Sequence, residues 1–169
     1  MSLSDPSSTD PMPATADLCD DHADILQICR PLLHSFGGRR RFHGPVATVK
    51  VFEDNVLVVE ALETIEPGSV LVVDGGGSTD CALVGDRLGG IAVSRGLAGI
   101  VVNGCVRDSA QLAEMDVGVL ALATHPKRSD KRGQGERDVT VTFGGASFAP
   151  GTYLYADEDG VVVAPHKLH

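Results

Sequence analysis

Residues 69–108 read SVLVVDGGGSTDCALVGDRLGGIAVSRGLAGIVVNGCVRD, and this stretch decides the fold. Ser69 to Val73 is a continuous apolar run ending in Asp74-Gly75-Gly76-Gly77, the pattern of a buried strand that enters a glycine turn. From Gly85 to Arg95, Leu88, Ile91 and Ala92 recur at helical spacing. Gly99 to Val102 is a second buried strand, ending at Asn103-Gly104. Strand, helix and strand in succession predict an α/β fold with a central, mostly parallel sheet.

Outward from this unit the pattern continues. On its C-terminal side a helix is expected through Ala110, Leu112 and Met115, then a third buried strand from Val117 to Ala123. On its N-terminal side Gly44 to Phe52 alternates and is rich in Val, as a strand does, and Asp54 or Asn55 can cap a helix through Val56, Val59 and Leu62. Thr15 can cap a short helix through Leu18 and Cys19. The segment from His125 to Asp138 is polar and basic and reads as a mobile surface loop; its basic run from Lys127 to Arg137 could bind a substrate carboxylate or a protein partner, but a solvated loop is the better reading. Beyond it, short runs at 139–143, 147–148, 152–155 and 160–163, punctuated by Gly-Gly, Pro-Gly and Asp-Gly, read as antiparallel C-terminal hairpins. Residues 1–13 carry Pro6, Pro11 and Pro13 without apolar periodicity and read as a disordered tail, leaving residues 14–169 as a single domain.

Composition narrows the function. Aromatic residues are 4% of the chain and Trp is absent, so the core must be aliphatic. A net charge of -9 argues against direct nucleic-acid binding, which needs a basic face. No apolar run approaches the roughly 20 residues of a membrane span. The polar N-terminus does not look like a signal peptide, and Cys19, Cys29, Cys81 and Cys105 include no C-x-x-C pair, so free thiols in a cytoplasmic protein are expected.

In open α/β sheets ligands bind beyond the carboxyl ends of the parallel strands. Three loops fall there: Asp74 to Asp80, Asn103 to Asp108, and the one after Ala123. The helix start at Gly85-Asp86-Arg87-Leu88 can face the same crevice, with unpaired N–H groups that suit a carboxylate. Arg107 can hold a carboxylate or an enolate oxygen in fork geometry, and Asp108 is a hard oxygen ligand for Mg²⁺ or Mn²⁺. Each part has a plainer explanation: Asp86 as a favourable first-turn acid, Arg107-Asp108 as a surface ion pair and helix cap. Together they make a site for a small 2-oxo acid, whose adjacent carboxylate and ketone oxygens chelate a divalent cation.

Asp86, twenty intervening residues and Arg107-Asp108 match the G-D-x20-R-D pattern of the RraA-like 4-hydroxy-4-methyl-2-oxoglutarate aldolases, and the chain resembles that family from about Ala16 to Val163. The likeness extends to Phe36-Gly-Gly-Arg39, Thr48-Val-Lys-Val-Phe-Glu-Asp-Asn55, Val70 to Ser78, Ala82 to Gly85, Gly135 to Asp138, Phe143 to Gly145 and Leu154 to Asp157. The resemblance implies a swivelling β/β/α fold, a homotrimer with sites near subunit boundaries, and a class II aldolase that cleaves 4-hydroxy-4-methyl-2-oxoglutarate to two pyruvates. Oxaloacetate decarboxylation would be a side activity through the same pyruvate enolate. By the motif, Gly85, Asp86, Arg87, Leu88 and Arg107 would contact substrate, Asp86 and Arg107 would be catalytic, and Asp108 would hold the metal. Longer members of the family carry a C-terminal extension that this chain, ending at His169, does not show. The family's namesake binds and inhibits the endoribonuclease RNase E, which leaves a non-catalytic protein-binding role as the alternative. An older label for such proteins, menaquinone methyltransferase, has no cofactor motif here.

Other chemistries fit less well. A Schiff-base aldolase needs a buried lysine, for which Lys50 is the candidate. The glycine run lacks a following Lys-Ser or Lys-Thr, and Asp80 stands where a dinucleotide fingerprint wants its last Gly, so a tight turn is the better reading. The histidines and cysteines show no zinc spacing, and no G-x-S-x-G is present.

Overall fold

The computed structural model describes residues 11–169; the proposed tail lies mostly outside them. In chain order the elements are α1 (Thr15–His22), β1 (Gln27–Ile28), β2 (His34–Ser35), β3 (Phe42–Lys50), α2 (Val56–Thr64), β4 (Val70–Asp74), β5 (Ala82–Val84), α3 (Asp86–Ser94), β6 (Gly99–Val106), α4 (Ser109–Leu112) and β7 (Gly118–Thr124). Short C-terminal strands follow: β8 (Glu136–Arg137), β9 (Val141–Phe143), β10 (Ala146–Phe148), β11 (Tyr153–Asp157) and β12 (Gly160–Ala164).

The main sheet runs β1-β12-β11-β3-β4-β6-β7-β2. Its centre is parallel from β3 through β4 and β6 to β7, and β5 adds a short parallel pairing to β6. Both flanks turn antiparallel, through β11 on one side and β2 on the other. Every residue of β4 is buried, as expected of a parallel strand covered on both faces. Its side chains divide between two cores. Leu71 and Val73 pack with Leu62, Leu88 and Leu112 of the helical layer, whereas Val70 and Val72 pack with Phe143, Phe148, Leu154 and Val161 of the hairpins. Ile100, Val102 and Val101 of β6 divide in the same way. This is the β/β/α layering that the resemblance implied. The helical side is aliphatic, as expected, whereas the hairpin side gathers Phe42, Phe143 and Phe148 among its aliphatic residues; at roughly 25 cal/mol per Å² of apolar surface buried these two cores supply the main drive to fold.

Phe42 shows how tightly the layers meet. Its ring lies against Gly99 and Gly118, where any Cβ would run into it. The glycines here serve close approach of a ring, not backbone freedom.

Several boundaries differ from the sequence reading. The second buried strand continues past Asn103-Gly104 to Val106, absorbing an irregularity between Val102 and Cys105. The helix expected through Met115 lasts only from Ser109 to Leu112. Thr15 does not cap α1; Ala14 precedes it, and Thr15 donates through its N–H and Oγ1 to the Asp157 carboxylate at 2.8 and 2.6 Å. The helix start is thus neutralised by an acid brought from the far end of the chain.

Candidate functional site

The carboxyl ends of β5 and β6 lie side by side, and each hands the chain to a helix. After β5, Gly85 precedes α3 and Asp86 is its first residue. After β6 come Arg107 and Asp108, with Asp108 in the left-handed region at φ 57°. That conformation is uncommon outside glycine, though Asp tolerates it better than most residues. It turns the Asp108 carboxylate back toward α3 instead of over its own short helix: Asp108 Oδ2 accepts the Asp86 N–H at 3.0 Å and makes no capping bond to α4. Asp108 therefore serves the neighbouring helix start, not the one it precedes.

Gly85 is required by this arrangement. Its φ of -135° is ordinary extended backbone, but a Cβ there would stand 2.7 Å from Asp108 Oδ2 and 3.3 Å from Arg107 Cγ. Asp108 Oδ1 accepts no hydrogen bond from a described residue. Arg107 forms no ion pair with Asp108; its Nη1 donates to the Pro126 carbonyl at 3.4 Å. The first-turn amides of Arg87 and Leu88 lack an acceptor within their own helix.

All six residues singled out in the sequence (Gly85, Asp86, Arg87, Leu88, Arg107 and Asp108) line one cleft of about 60 Å³. That is room for a small acid head and far too little for a nucleotide, given the ~30 Å³ a water occupies in the liquid. The Leu88 side chain is buried in the helical core, so only its backbone can reach a ligand. Of the three loops expected at the strand ends, the glycine loop stays apart. Its Gly75 and Gly77 amides donate to Asn103 O, Asp74 Oδ1 accepts from Gly76 N and Asn103 Nδ2, and Gly76 and Gly77 have positive φ: a tight turn.

Four polar lining residues were not singled out in the sequence. Asn55 was read only as a cap, and Arg128, Ser129 and Lys131 as part of a mobile loop. The side chains of residues 130–136 are exposed, but the backbone is strapped down. Ala82 N–H donates to Lys127 O at 2.8 Å, Asp130 N–H to Glu53 O at 2.8 Å, and β8 pairs with β3. The buried Asp54 carboxylate accepts the N–H groups of Val56 (3.1 Å), Arg132 (2.7 Å) and Gln134 (3.4 Å). Asn55 Nδ2 donates to Leu83 O at 3.1 Å, and its Oδ1 accepts from Lys131 Nζ at 3.3 Å. The sequence signal for this strap was the Phe-Glu-Asp-Asn run, whose function is to tie the basic loop beside the cleft.

Burial pushes the Asp54 carboxyl up, but the N–H donors of Val56, Arg132, Gln134 and Gly133 outweigh it and hold it below the ordinary aspartate value. A carboxyl depressed in the folded state stabilises fully above its unfolded value, and that contribution drains away as pH falls through the folded value. The window therefore opens near 3.8 and extends downward. Amide exchange at Arg132 and Gln134, corrected for intrinsic rate, is expected to rise as pH falls below about 3.8, and Asp54→Asn should flatten that rise. Exchange at these amides that does not change with acid would show that Asp54 does not hold the loop.

The site's charge is uneven. Arg87, Arg107, Arg128 and Lys131 line it against Asp86 and Asp108, and none of these cations forms an ion pair with a described residue. In a chain of net charge -9, such a concentration of unpaired cations suits an anionic ligand. No group of three His, Cys, Asp or Glu side chains suited to a metal occurs among the described residues. Asp86 and Asp108 both line the cleft, and such a pair of carboxylates is the kind of donor that Mg²⁺ or Mn²⁺ accepts, with water and substrate oxygens for the rest. Lys50 is exposed on β3 and away from the cleft, unlike a desolvated Schiff-base lysine. A larger groove of about 680 Å³, lined by Arg30, His34, Arg40 and Glu158 among others, holds none of the paired Gly-Asp and Arg-Asp residues. No helix among the described residues is long and apolar enough to cross a membrane.

A family model described as RraA-like, Aldolase/RraA, matches residues 15–163. A protein of Alkalilimnicola ehrlichii, provisionally named 4-hydroxy-4-methyl-2-oxoglutarate aldolase, is 60% identical over 154 residues, 91% of this chain and 96% of its own. A solved structure from Geobacillus kaustophilus, described as an S-adenosylmethionine:2-dimethylmenaquinone methyltransferase, superposes with a TM-score of 0.91 at 58% identity, covering 92% of this chain and 97% of that one. The RNA-processing inhibitor RraA from Thermus thermophilis superposes with a TM-score of 0.90 at 45% identity, over 94% and 96% of the two chains.

Proposed function

The chain belongs to the RraA-like family, and from that premise we propose that it is a lyase: a divalent-metal-dependent aldolase that cleaves 4-hydroxy-4-methyl-2-oxoglutarate to two pyruvates. The observation that carries this reading is the meeting of Gly85, Asp86, Arg107 and Asp108 in one cleft, with the Asp108 carboxylate held against the start of α3. Relatives named for this aldolase activity support it.

The first-turn amides of Arg87 and Leu88 bind the substrate's head carboxylate, as helix starts bind anions. Arg107 sets its guanidinium on the ketone oxygen beside it. Asp108 and Asp86 would hold Mg²⁺ or Mn²⁺, which supplies Lewis-acid polarisation of that ketone. Asp86 takes the C4 hydroxyl proton, through a water molecule. The O–H electrons then form the new carbonyl, the C3–C4 bond breaks, and its pair moves into the C2–C3 enolate. Arg107 stabilises the enolate oxygen, a role in which fixed charge acts more strongly than water can. Protonation at C3 releases the second pyruvate. Oxaloacetate would lose CO₂ to give the same enolate, which makes decarboxylation a side activity of the same residues.

The test is pyruvate release from 4-hydroxy-4-methyl-2-oxoglutarate with and without chelator. Release that stops on chelation and returns with Mg²⁺ or Mn²⁺ is expected. Release that survives chelation, with a pyruvate adduct trapped by borohydride, would assign the chemistry to a lysine instead.

The likeness to the Thermus thermophilis inhibitor favours a second reading, an assembly that docks onto an endoribonuclease. It predicts inhibition of such a nuclease by this protein, undiminished by Asp108→Asn.

A further inference from the structure

The main sheet curls until its two ends meet at one groove. Its outermost strands are β1 and β2, which lie close in sequence, joined by residues 29–33. Ile28 of β1 and His34 and Ser35 of β2 all line the groove of about 680 Å³, which shares no residue with the strand-end cleft. Leu120 of β7 and Val161 of β12, both from the hairpin-side core, line it too.

Each sheet end carries unused backbone. In an antiparallel pair, successive residues turn their N–H and C=O alternately toward the partner strand and away from it. Cys29 N–H donates to Val161 O at 3.0 Å, and Phe36 N–H donates to Val119 O at 2.8 Å. Their neighbours Ile28 and Ser35 therefore turn away from β12 and β7, and no strand among the described residues pairs with either open edge. Proteins keep open edges short, because a long row of free amides recruits further strands without limit. Here each edge strand has two residues and borders a groove. A broad sheet cannot stack on so short an edge, but a single extended segment can pair with it.

Charge decides what kind of segment fits. The acids of the β11–β12 turn are already answered. Arg41 pairs with Glu158 at 3.0 Å and feels the fields of Asp157 and Asp159, and Asp157 also accepts from Thr15. Arg30, His34 and Arg40 line the groove and form no ion pair with a described residue. Both arginines are exposed and ready to take carboxylates in fork geometry. An extended segment sends alternate side chains to opposite faces. Apolar ones can rest on Leu33, Leu120 and Val161 while acidic ones turn toward the arginines.

We propose that this groove is a docking site for an extended acidic segment of a partner protein, which adds a strand at the open edge of β2 and sets its carboxylates against Arg30 and Arg40, with His34 beside them. In strand addition of this kind the backbone supplies affinity and the alternate side chains supply specificity. The site is separate from the cleft and needs no part of the aldolase reading.

Fluorescence anisotropy tests it with labelled synthetic peptides and the full chain. The probe is Glu-Val-Glu-Val-Glu-Val. One control, Glu-Pro-Glu-Pro-Glu-Pro, keeps the charge but cannot pair as a strand. The other, Lys-Val-Lys-Val-Lys-Val, keeps the apolar alternation and reverses the charge. Wild type should bind the probe about tenfold or more tightly than either control. Ser35→Pro should weaken probe binding by about tenfold or more, since it deletes an amide that faces the open edge. Proline is tolerated on an edge strand at such a position, so the melting temperature should stay near that of wild type. Arg40→Ser, at an exposed residue without a bonded partner among those described, should weaken the probe by a similar factor with no change in melting. It keeps the test decisive should Ser35→Pro fail to fold. A proline control that binds as well as the probe would reduce the groove to a charged patch and overturn the proposal, as would a lysine control that binds equally. No probe binding, together with a Ser35→Pro chain whose sedimenting mass differs from that of wild type, would assign the groove to a second copy of this chain and overturn it too.

Discussion

Asp108→Asn is expected to lower kcat/KM for 4-hydroxy-4-methyl-2-oxoglutarate by about a thousandfold or more and to abolish saturable Mn²⁺ binding, while the protein stays folded. Asparagine keeps an oxygen for the Asp86 N–H, which Asp108 Oδ2 accepts at 3.0 Å, and it tolerates the positive φ of 57° at this position. The substitution therefore preserves the turn and its bond to α3. What it removes is the negative charge, without which a hard cation has only the exposed Asp86 to hold it. Losing several kcal/mol of stabilisation on a growing enolate corresponds to three or more decades in rate, at about 1.36 kcal/mol per decade. Titration calorimetry with Mn²⁺ and a pyruvate-release assay read the two consequences separately. Full activity in Asp108→Asn would remove this residue from the chemistry.

Gly85→Ala tests the same site through space instead of charge. The new Cβ would lie 2.7 Å from Asp108 Oδ2, so carboxylate or helix start must move. The backbone at Gly85 is extended and alanine adopts it freely. Asp108 and Arg107, the side chains a Cβ would displace, belong to neither core. Thermal stability should therefore change little, while kcat falls by about a hundredfold, the usual result of displacing a reacting group by an ångström. A near-normal kcat in Gly85→Ala would mean that the close contact between Gly85 and Asp108 has no part in catalysis.

The central sheet was legible because its signal is local. Val70 to Val73 is apolar without interruption since both faces are covered, and β6 carries the same mark from Gly99 to Val102; its continuation to Val106 was hidden by Asn103-Gly104. The pairing of Asp86 with Arg107-Asp108 was legible from the G-D-x20-R-D spacing, although the short strand β5 that delivers Asp86 beside the end of β6 was not read. What could not be read were contacts between distant segments. Nothing near Thr15 announces that its partner is Asp157. The two-residue strands β1 and β2 exist only because β12 and β7 offer edges to them. Residues 127–134 are polar enough to look like a free loop, and only the buried Asp54 and Asn55 turn them into a wall of the cleft. Ser129 drew no notice in sequence, because a serine in a basic loop is unremarkable until its hydroxyl proves to be buried.

The most direct measurement is a crystal structure of the protein with Mg²⁺ and oxalate, a stable stand-in for the pyruvate enolate. Oxalate should lie in the cleft between α3 and the end of β6, its oxygens on the Arg87 and Leu88 amides and on Arg107, with the cation bound by Asp108. Oxalate seated in the larger groove near Arg30 and Arg40, with Arg107 and Asp108 making no contact to ligand or cation, would contradict the account.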